Sequence, residues 1–287
     1  MSIQNEIKKE AEVVSFLKDL VEVYGEIASF RMMKIRNFVL NNRAYIFSIT
    51  QIFYDVLGAF LKRSTQTSKK QMMSNSQRIT FLAHNGKTVF VFISANTGFY
   101  GDVVAGTFKK FSKDLNESNA EVAIVGKIGR SMFAEKFPGK PYSFFELPDY
   151  GSDKDRLMVL INHLVQYDEV RVYYSAYESV LRRRAEVSEL TAGAKFIEKA
   201  REVKDDYIFE PSPEEILIFF EKEVFGSFFD QTIRESQLAK LSGRVMAMEA
   251  ASVSIKKRLS EMNFEFLKAK HRLMNKKQLG VLTALTN

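Results

Sequence analysis

The chain has 287 residues, no cysteine and a formal net charge of +7. That length holds one large domain, or one domain with extensions, and the absence of cysteine excludes disulfides, thiolate metal sites and cysteine nucleophiles. The only histidines, His84, His163 and His271, lie far apart, and there is no run of about 20 apolar residues, so neither a metal site nor a membrane span is expected and the chain reads as intracellular and soluble.

Residues 1 to 63 contain no proline and carry apolar residues at heptad spacing. Counting from Val14 gives Leu17, Val21, Tyr24, Ala28, Arg31, Ile35, Phe38, Asn42, Tyr45, Ile49, Ile52 and Val56, a seam broken only by Arg31 and Asn42. An isolated polar residue in such a seam fixes its register at some cost in stability. Phe16, Leu20, Ile27, Phe53 and Leu57 widen the apolar face, so this helix is expected to bury two sides. Gly58 and the polar run from Arg63 to Gln77 mark its end and a loop.

From Lys87 to Val187 the pattern changes. Residues 87–93 (KTVFVFI), 121–126 (EVAIVG), 143–147 (SFFEL) and 169–175 (EVRVYYS) read as strands. Between them Gly101 to Leu115, Gly129 to Phe137 and Lys154 to Tyr167 read as helices, the last with Leu157, Leu160, Ile161 and Leu164 on one face. Such alternation predicts an α/β domain with a mostly parallel, Rossmann-like sheet. Arg183 to Leu190 is expected to add an edge strand, and Thr191 to Asp206 a mobile connection.

The last helix is predicted over Pro213 to Leu285, with Ser212 as N-cap, Pro213 at its first position, and Glu214 and Glu215 in the first turn, where the helix dipole favours acids. From Leu238 the series Leu241, Val245, Met248, Ser252, Ile255, Leu259, Met262, Phe266, Ala269 and Leu273 repeats about every 3.5 residues, the period of a left-handed coiled coil. Only Ser252 is polar. From Arg234 onward eleven Lys and Arg stand against four Asp and Glu, so this helix seeks an acidic surface, a nucleic acid or an anionic membrane. The predicted architecture is a long antiparallel coiled coil of the terminal helices, residues 1–63 and 207–287, with a connection at 64–86 and an α/β domain at 87–206 inserted between them.

No motif indicates catalysis. Gly86-Lys87-Thr88 resembles the end of a phosphate loop, but Phe81 stands at the required upstream glycine and a strand follows where a helix is needed. Gly98 and Gly101 form half of a dinucleotide fingerprint and read as a tight strand-to-helix turn. Asp149, Asp153 and Asp155 flank Gly151 and read as capping residues for the next helix. No carboxylate pair stands with a histidine, and no serine has a nucleophile context. No cofactor is expected. Phe264 and Phe266 do not make a stacking platform, so nucleic acid is not the expected partner.

Several segments together resemble the gamma subunit of F-type ATP synthases. Residues 235–252 (ESQLAKLSGRVMAMEAAS) are similar to the family's ES-x-ASEH-x-ARM-x-AM-x-x-AT, agreeing at Glu235, Ser236, Arg244, Ala247, Met248 and Ala251. Residues 266–279 resemble YN-x-ARQ-x-x-IT-x-EL, with Phe266 for Tyr, Lys270 for Arg and His271 for Gln. Residues 31–44 resemble AMKMVAAAKLRRA, agreeing at Met33, Lys34, Arg43 and Ala44. Residues 94–101, 125–133 and 207–217 resemble TSDRGLCG, VGKKG-x-x-x-F and Y-x-FEPS-x-E-x-x-L.

The resemblance implies a rotating central shaft: a left-handed antiparallel coil whose tip enters a ring of alpha and beta subunits, with the α/β domain meeting an epsilon-type subunit and a ring of c subunits. It implies a chain that is not an enzyme by itself, peripheral on the cytoplasmic face of the cell membrane. Contacts to the catalytic ring are expected at Met33, Lys34, Arg244, Met248, Lys270, His271, Lys276 and Lys277. There are departures. Asn37, Phe38 and Val39 replace the family's AAA, which implies altered packing of the first helix, and Lys277 replaces an acid. These fit a diverged F-type-like ATPase that is not a proton-driven synthase. A non-rotary coiled-coil scaffold for an acidic partner, and a ligand-binding α/β domain, stay open on the residues alone.

Overall fold

The computed structural model describes residues 3–63, 85–191, 210 and 213–285. The expected loop after Arg63, the connection before Asp206 and the Ser212 cap lie outside the described residues. The elements in order are α1 (Ile3–Arg63), β1 (Thr88–Ile93), α2 (Val103–Asn116), β2 (Glu121–Val125), α3 (Lys127–Lys136), β3 (Ser143–Phe145), α4 (Lys154–Leu164), β4 (Glu169–Tyr177), β5 (Arg183–Thr191) and α5 (Pro213–Leu285). They form two compact units. One holds Met1–Phe30 with Arg244–Asn287, and the other holds Arg31–Gly243.

The first unit is an antiparallel pair of helical segments. Glu22 receives the Lys256 ammonium at 3.1 Å and the Ser252 hydroxyl at 3.1 Å, while farther back along α1 Glu10 meets Arg258 at 3.4 Å. The α5 seam is the one expected as far as Ala269: Met248, Ser252 and Met262 are buried, Val245, Ile255, Leu259, Phe266 and Ala269 are half-buried, and most positions between them are exposed, whereas Leu273, the last seam position expected, is exposed because no described residue of α1 lies against it. Net charge sorts between the strands. Residues 1–30 carry six acids and three lysines, and residues 244–287 carry nine Lys and Arg and three acids. Opposite charge across a coil favours this pairing and sets its direction.

The α1 seam needs a correction. Val14, Val21 and Ala28 face inward as expected, but Leu17 and Tyr24 are exposed, and Lys18 and Gly25 occupy the intervening positions instead. The repeat is the same and half of it is displaced by one residue. Close approach is the reason. A Cβ on Gly25 would lie 3.3 Å from the Cβ of Met248, so at this step α1 presents its smallest residue to the Met248 side chain. The larger residues Phe16, Leu17, Leu20, Tyr24 and Ile27 form a separate exposed stripe, so the second buried side expected for this part of α1 is not covered by the described residues.

In the second unit the same half-step displacement holds. Met32, Ile35, Val39, Ile49, Phe53 and Val56 are buried, whereas Phe38, Tyr45 and Ile52 are exposed. Ile49, Phe53, Val56 and Leu57 pack on Leu217 and Val224 of α5. Asn42 acts as the register device expected of a polar seam residue: its Nδ2 donates to Gln231 Oε1 at 3.1 Å, and Gln231 donates to the Val39 carbonyl at 3.3 Å. Of the bulky trio Asn37-Phe38-Val39 only Val39 enters the seam, and Phe38 lies outside it beneath the Arg234 guanidinium, 4.0 Å from the ring centre. One residue in three meets the partner helix.

The sheet runs β3-β2-β1-β4-β5, parallel except for β5, which pairs antiparallel with β4. Strand β1 alternates two cores. Val89, Val91 and Ile93 face Leu160 and Leu164 of α4 and Phe229 and Ile233 of α5. Phe90 and Phe92 face Phe111 and Leu115 of α2 and Phe133 of α3. Helices cover both faces, which is why the strands read as continuous apolar runs. Each such fully buried side chain stabilises by roughly 1.5–3 kcal/mol. His163 of α4 lies among Phe145 and Tyr167, and its Nε2 is buried with no hydrogen-bond partner among the described residues. Burial pushes the imidazole below its ordinary 6.5, against the opposing pull of the Glu121 carboxylate.

Two outcomes are expected. Gly25→Leu must part the coil strands and should destabilise the chain by about 1–3 kcal/mol, while Leu17→Gln should stay within about 0.5 kcal/mol. Denaturant melts of both variants decide the register, and the reverse ranking would restore Leu17 to the seam. For His163, the fold favours the neutral form. Stability is therefore fully present above pH 6.5 and is lost as pH falls below that value. His163→Phe should flatten the stability profile in that window, and an unchanged slope would assign it to other groups.

Candidate functional site: the coil surface and the sheet crevice

Open parallel sheets bind ligands beyond the carboxyl ends of their strands, at the point where strand order reverses. Here that point lies between β1 and β4, because β2 and β3 extend to one side of β1 and β4 lies on the other. That place is an open cavity lined by Asp102, Thr107, Ser175, Glu178, Arg182 and Arg183, whereas on the β3 side of β1 the chain's own last helix meets the carboxyl edge. Lys240 of α5 donates from Nζ to the carbonyl of Ser94, the first residue past β1, at 2.7 Å. Its ammonium also lies 3.5 Å from Asp149 Oδ1, and both side chains are largely buried.

Asp149 gathers the loop after β1. It accepts from the backbone N–H groups of Asn96 (2.9 Å) and Thr97 (2.8 Å) and from the Thr97 hydroxyl at 2.7 Å. Burial works to raise its carboxyl, but the Lys240 charge and these donors outweigh it and hold the group below the ordinary carboxylate value. Of the three aspartates expected to cap α4, Asp153 does so, accepting from Arg156 N at 3.1 Å. Asp149 serves α5 and the β1 loop instead. Gln237 of α5 adds two bonds from Nε2, to the carbonyls of Pro148 and Gly151, each at 2.9 Å.

Two glycines make this packing possible. A Cβ on Gly243 would stand 2.5 Å from the Tyr100 carbonyl oxygen. Gly126 has φ of +100° and would drive a Cβ to 2.8 Å from Ala95 N, where α3 begins against the β1 loop. The strand-to-helix turn at Gly98 and Gly101 is the turn expected, with Gly101 at φ +63°. Gly86-Lys87-Thr88 sits at the amino end of β1, where Lys87 pairs with Glu121 at 2.6 Å, so it is no phosphate loop. Glu121 also accepts from the Tyr167 hydroxyl at 2.6 Å, and burial together with that carboxylate pushes the phenol up to about 12. Among the described residues there is no group of three or more side chains able to hold a metal, and no helix long and apolar enough to cross a membrane.

The residues read as ring contacts divide in two. Met33, Lys34, Lys270, His271, Lys276 and Lys277 are exposed. Arg244 and Met248 are buried within the chain, Met248 at the close crossing with Gly25. From Lys270 to Leu282 every residue of α5 is exposed, including Leu273, Met274, Leu279, Val281 and Leu282, so this stretch combines basic and apolar surface. Lys240 and Gln237 are not picked out by sequence reasoning and Asp149 only as a helix cap, because nothing in their local pattern links the α4 approach loop to α5.

Two long helices, with a five-stranded mixed sheet between them in sequence, define the architecture. The sequence profile of the ATP synthase family matches residues 4–272, and the chain belongs to that family. It is similar to the ATP synthase gamma chain of Protochlamydia amoebophila, 22% identical over 264 residues, covering 88% of this chain and 87% of that one. The gamma chain of Clostridium novyi is 22% identical over 272 residues, covering 91% and 89%. Among solved structures, a chain of the Euglena gracilis mitochondrial ATP synthase rotor matches with a TM-score of 0.63 at 14% identity, covering 94% of this chain and 98% of that chain. A chain of the Tetrahymena thermophila mitochondrial ATP synthase central stalk and c-ring matches with a TM-score of 0.57 at 18% identity, covering 81% and 99%.

The packing of Gly243 generates a test. Gly243→Ala should destabilise the chain by about 1–3 kcal/mol through its collision with the Tyr100 carbonyl, read as a lowered denaturation midpoint. A neutral result would mean that α5 does not seat this closely on the β1 loop.

Proposed function

We propose that the chain is the central rotary shaft, the gamma-type subunit, of an F-type ATP synthase or ATPase, with residues 1–63 and 207–287 as coil strands and 87–206 as the globular domain. The observation that carries this reading is the antiparallel helix pair, whose seam is satisfied internally while one strand offers a wholly exposed basic and apolar end. A shaft must bind its bearing without being held fast. Long Lys side chains supply attraction through compliant, salt-screened contacts. Lys34, Lys270, Lys276 and Lys277 suit acidic surfaces of an alpha–beta ring, Met33 and His271 lie exposed for the same contacts, and Arg244 and Met248 support the coil from within.

In this reading the chain is a non-catalytic subunit, and its partners are alpha and beta subunits, an epsilon-type subunit and a c-subunit ring. It takes its place peripherally at the cytoplasmic face of the cell membrane. Replacement of the family's acid by Lys277, and of its Arg-Gln pair by Lys270 and His271, favours a diverged F-type-like ATPase as the second form of the same role.

Affinity purification of the full chain should recover nucleotide-binding ring subunits, and adding the chain to that ring should raise its ATP turnover. Recovery of no ATPase subunit would remove the shaft reading and favour a scaffold. Lys270→Glu should slow stimulated turnover several-fold with an unchanged melting temperature, because a reversed charge repels the acidic surface. Wild-type turnover would remove Lys270 from the contact.

A further inference from the structure

We propose that Lys240 and Asp149 are positioning residues that fix the rotational setting of α5 against the sheet. The proposal rests on the shaft reading only for its purpose, because its geometry stands within one compact unit. A helix held by apolar ridges alone can settle into neighbouring grooves, since dispersion and hydrophobic burial are non-directional. Around Lys240 the contacts are directional. Gln237 and Lys240 stand one turn apart on one face of α5. They bind two different loops: Lys240 takes Ser94 after β1, and Gln237 takes Pro148 and Gly151 after β3.

Asp149 then ties those two loops to each other through the N–H groups of Asn96 and Thr97. Turning α5 by one residue, about 100°, would withdraw the ammonium from Asp149 and leave a carboxylate with a largely buried side chain without its counter-charge. Breaking one partner of a buried pair is far more costly than the pair is stabilising, so such a contact acts as a selector among packings rather than as glue. Gly243, two turns from Gln237, admits the Tyr100 carbonyl only in the same setting. In a shaft, slack between the sheet and α5 would appear as rotation lost between the ends of the subunit. The Lys240–Asp149 lock removes that slack at the joint and needs no contact with a ring.

The test uses the full chain, whose lack of native cysteine allows selective labelling. Cysteines replace the exposed Lys113 on α2 and Lys222 on α5, and spin labels report their distance distribution by pulsed resonance. The parent should show one narrow distribution. Lys240→Met, which keeps the stem and removes the charge, should lose it to a broadened or divided one while the helical circular dichroism is retained. Asp149→Asn should do the same. A single narrow distribution in folded Lys240→Met overturns the proposal. If Lys240→Met does not fold, Asp149→Asn decides it, and if neither folds, Gln237→Met does, by the same two outcomes. Because the measurement needs no ring, its failure is distinct from failure of the affinity purification.

Discussion

The structure depends on how closely two helices can approach. In the unit formed by Met1–Phe30 and Arg244–Asn287, α1 offers Gly25 where α5 offers Met248, and a Cβ added at Gly25 would lie 3.3 Å from the Met248 Cβ. Small-against-large packing of this kind leaves little room for an alternative register, and charge of opposite sign on the two strands adds direction. The unit from Arg31 to Gly243 uses a different device for the same end. There a polar pair, Asn42 with Gln231, sits in an otherwise apolar seam and is satisfied only when the two are opposite each other.

The sheet is fastened to α5 at its carboxyl edge. Strand order, strand direction and the helix layers are those of a doubly wound α/β domain. Lys240 holds the first carbonyl past β1, and Asp149 pins the loop that follows it. Fold alone does not fix activity; the side chains at this edge show an internal fastening.

Much of this was legible in the sequence. Strands β1, β2 and β4 appear as apolar runs because both sheet faces are covered, and the α5 seam appears because almost every inward position is apolar. The α1 seam was half legible. Val14, Val21, Ala28, Ile35, Asn42, Ile49 and Val56 are placed correctly, but heptad counting puts Leu17, Tyr24, Arg31, Phe38, Tyr45 and Ile52 at the alternate positions. The interface instead takes Lys18, Gly25, Met32 and Val39 at the first four of those steps, and a lysine or a glycine carries no apolar signal. Phe53 fills the Ile52 step and is as apolar as its neighbour, so hydrophobicity could not separate them. The Lys240–Asp149 lock was invisible for another reason. It is a long-range pair whose members look like a helix-surface lysine and a capping aspartate, and only the topology joins them.

The large residues turned outward on α1 have a consequence for the life of the polypeptide. Phe16, Leu17, Leu20, Tyr24 and Ile27 give a newly made copy an oily flank that water does not tolerate well. Side chains of that kind favour association over solvation, so isolated copies of the chain at high concentration would tend to clump.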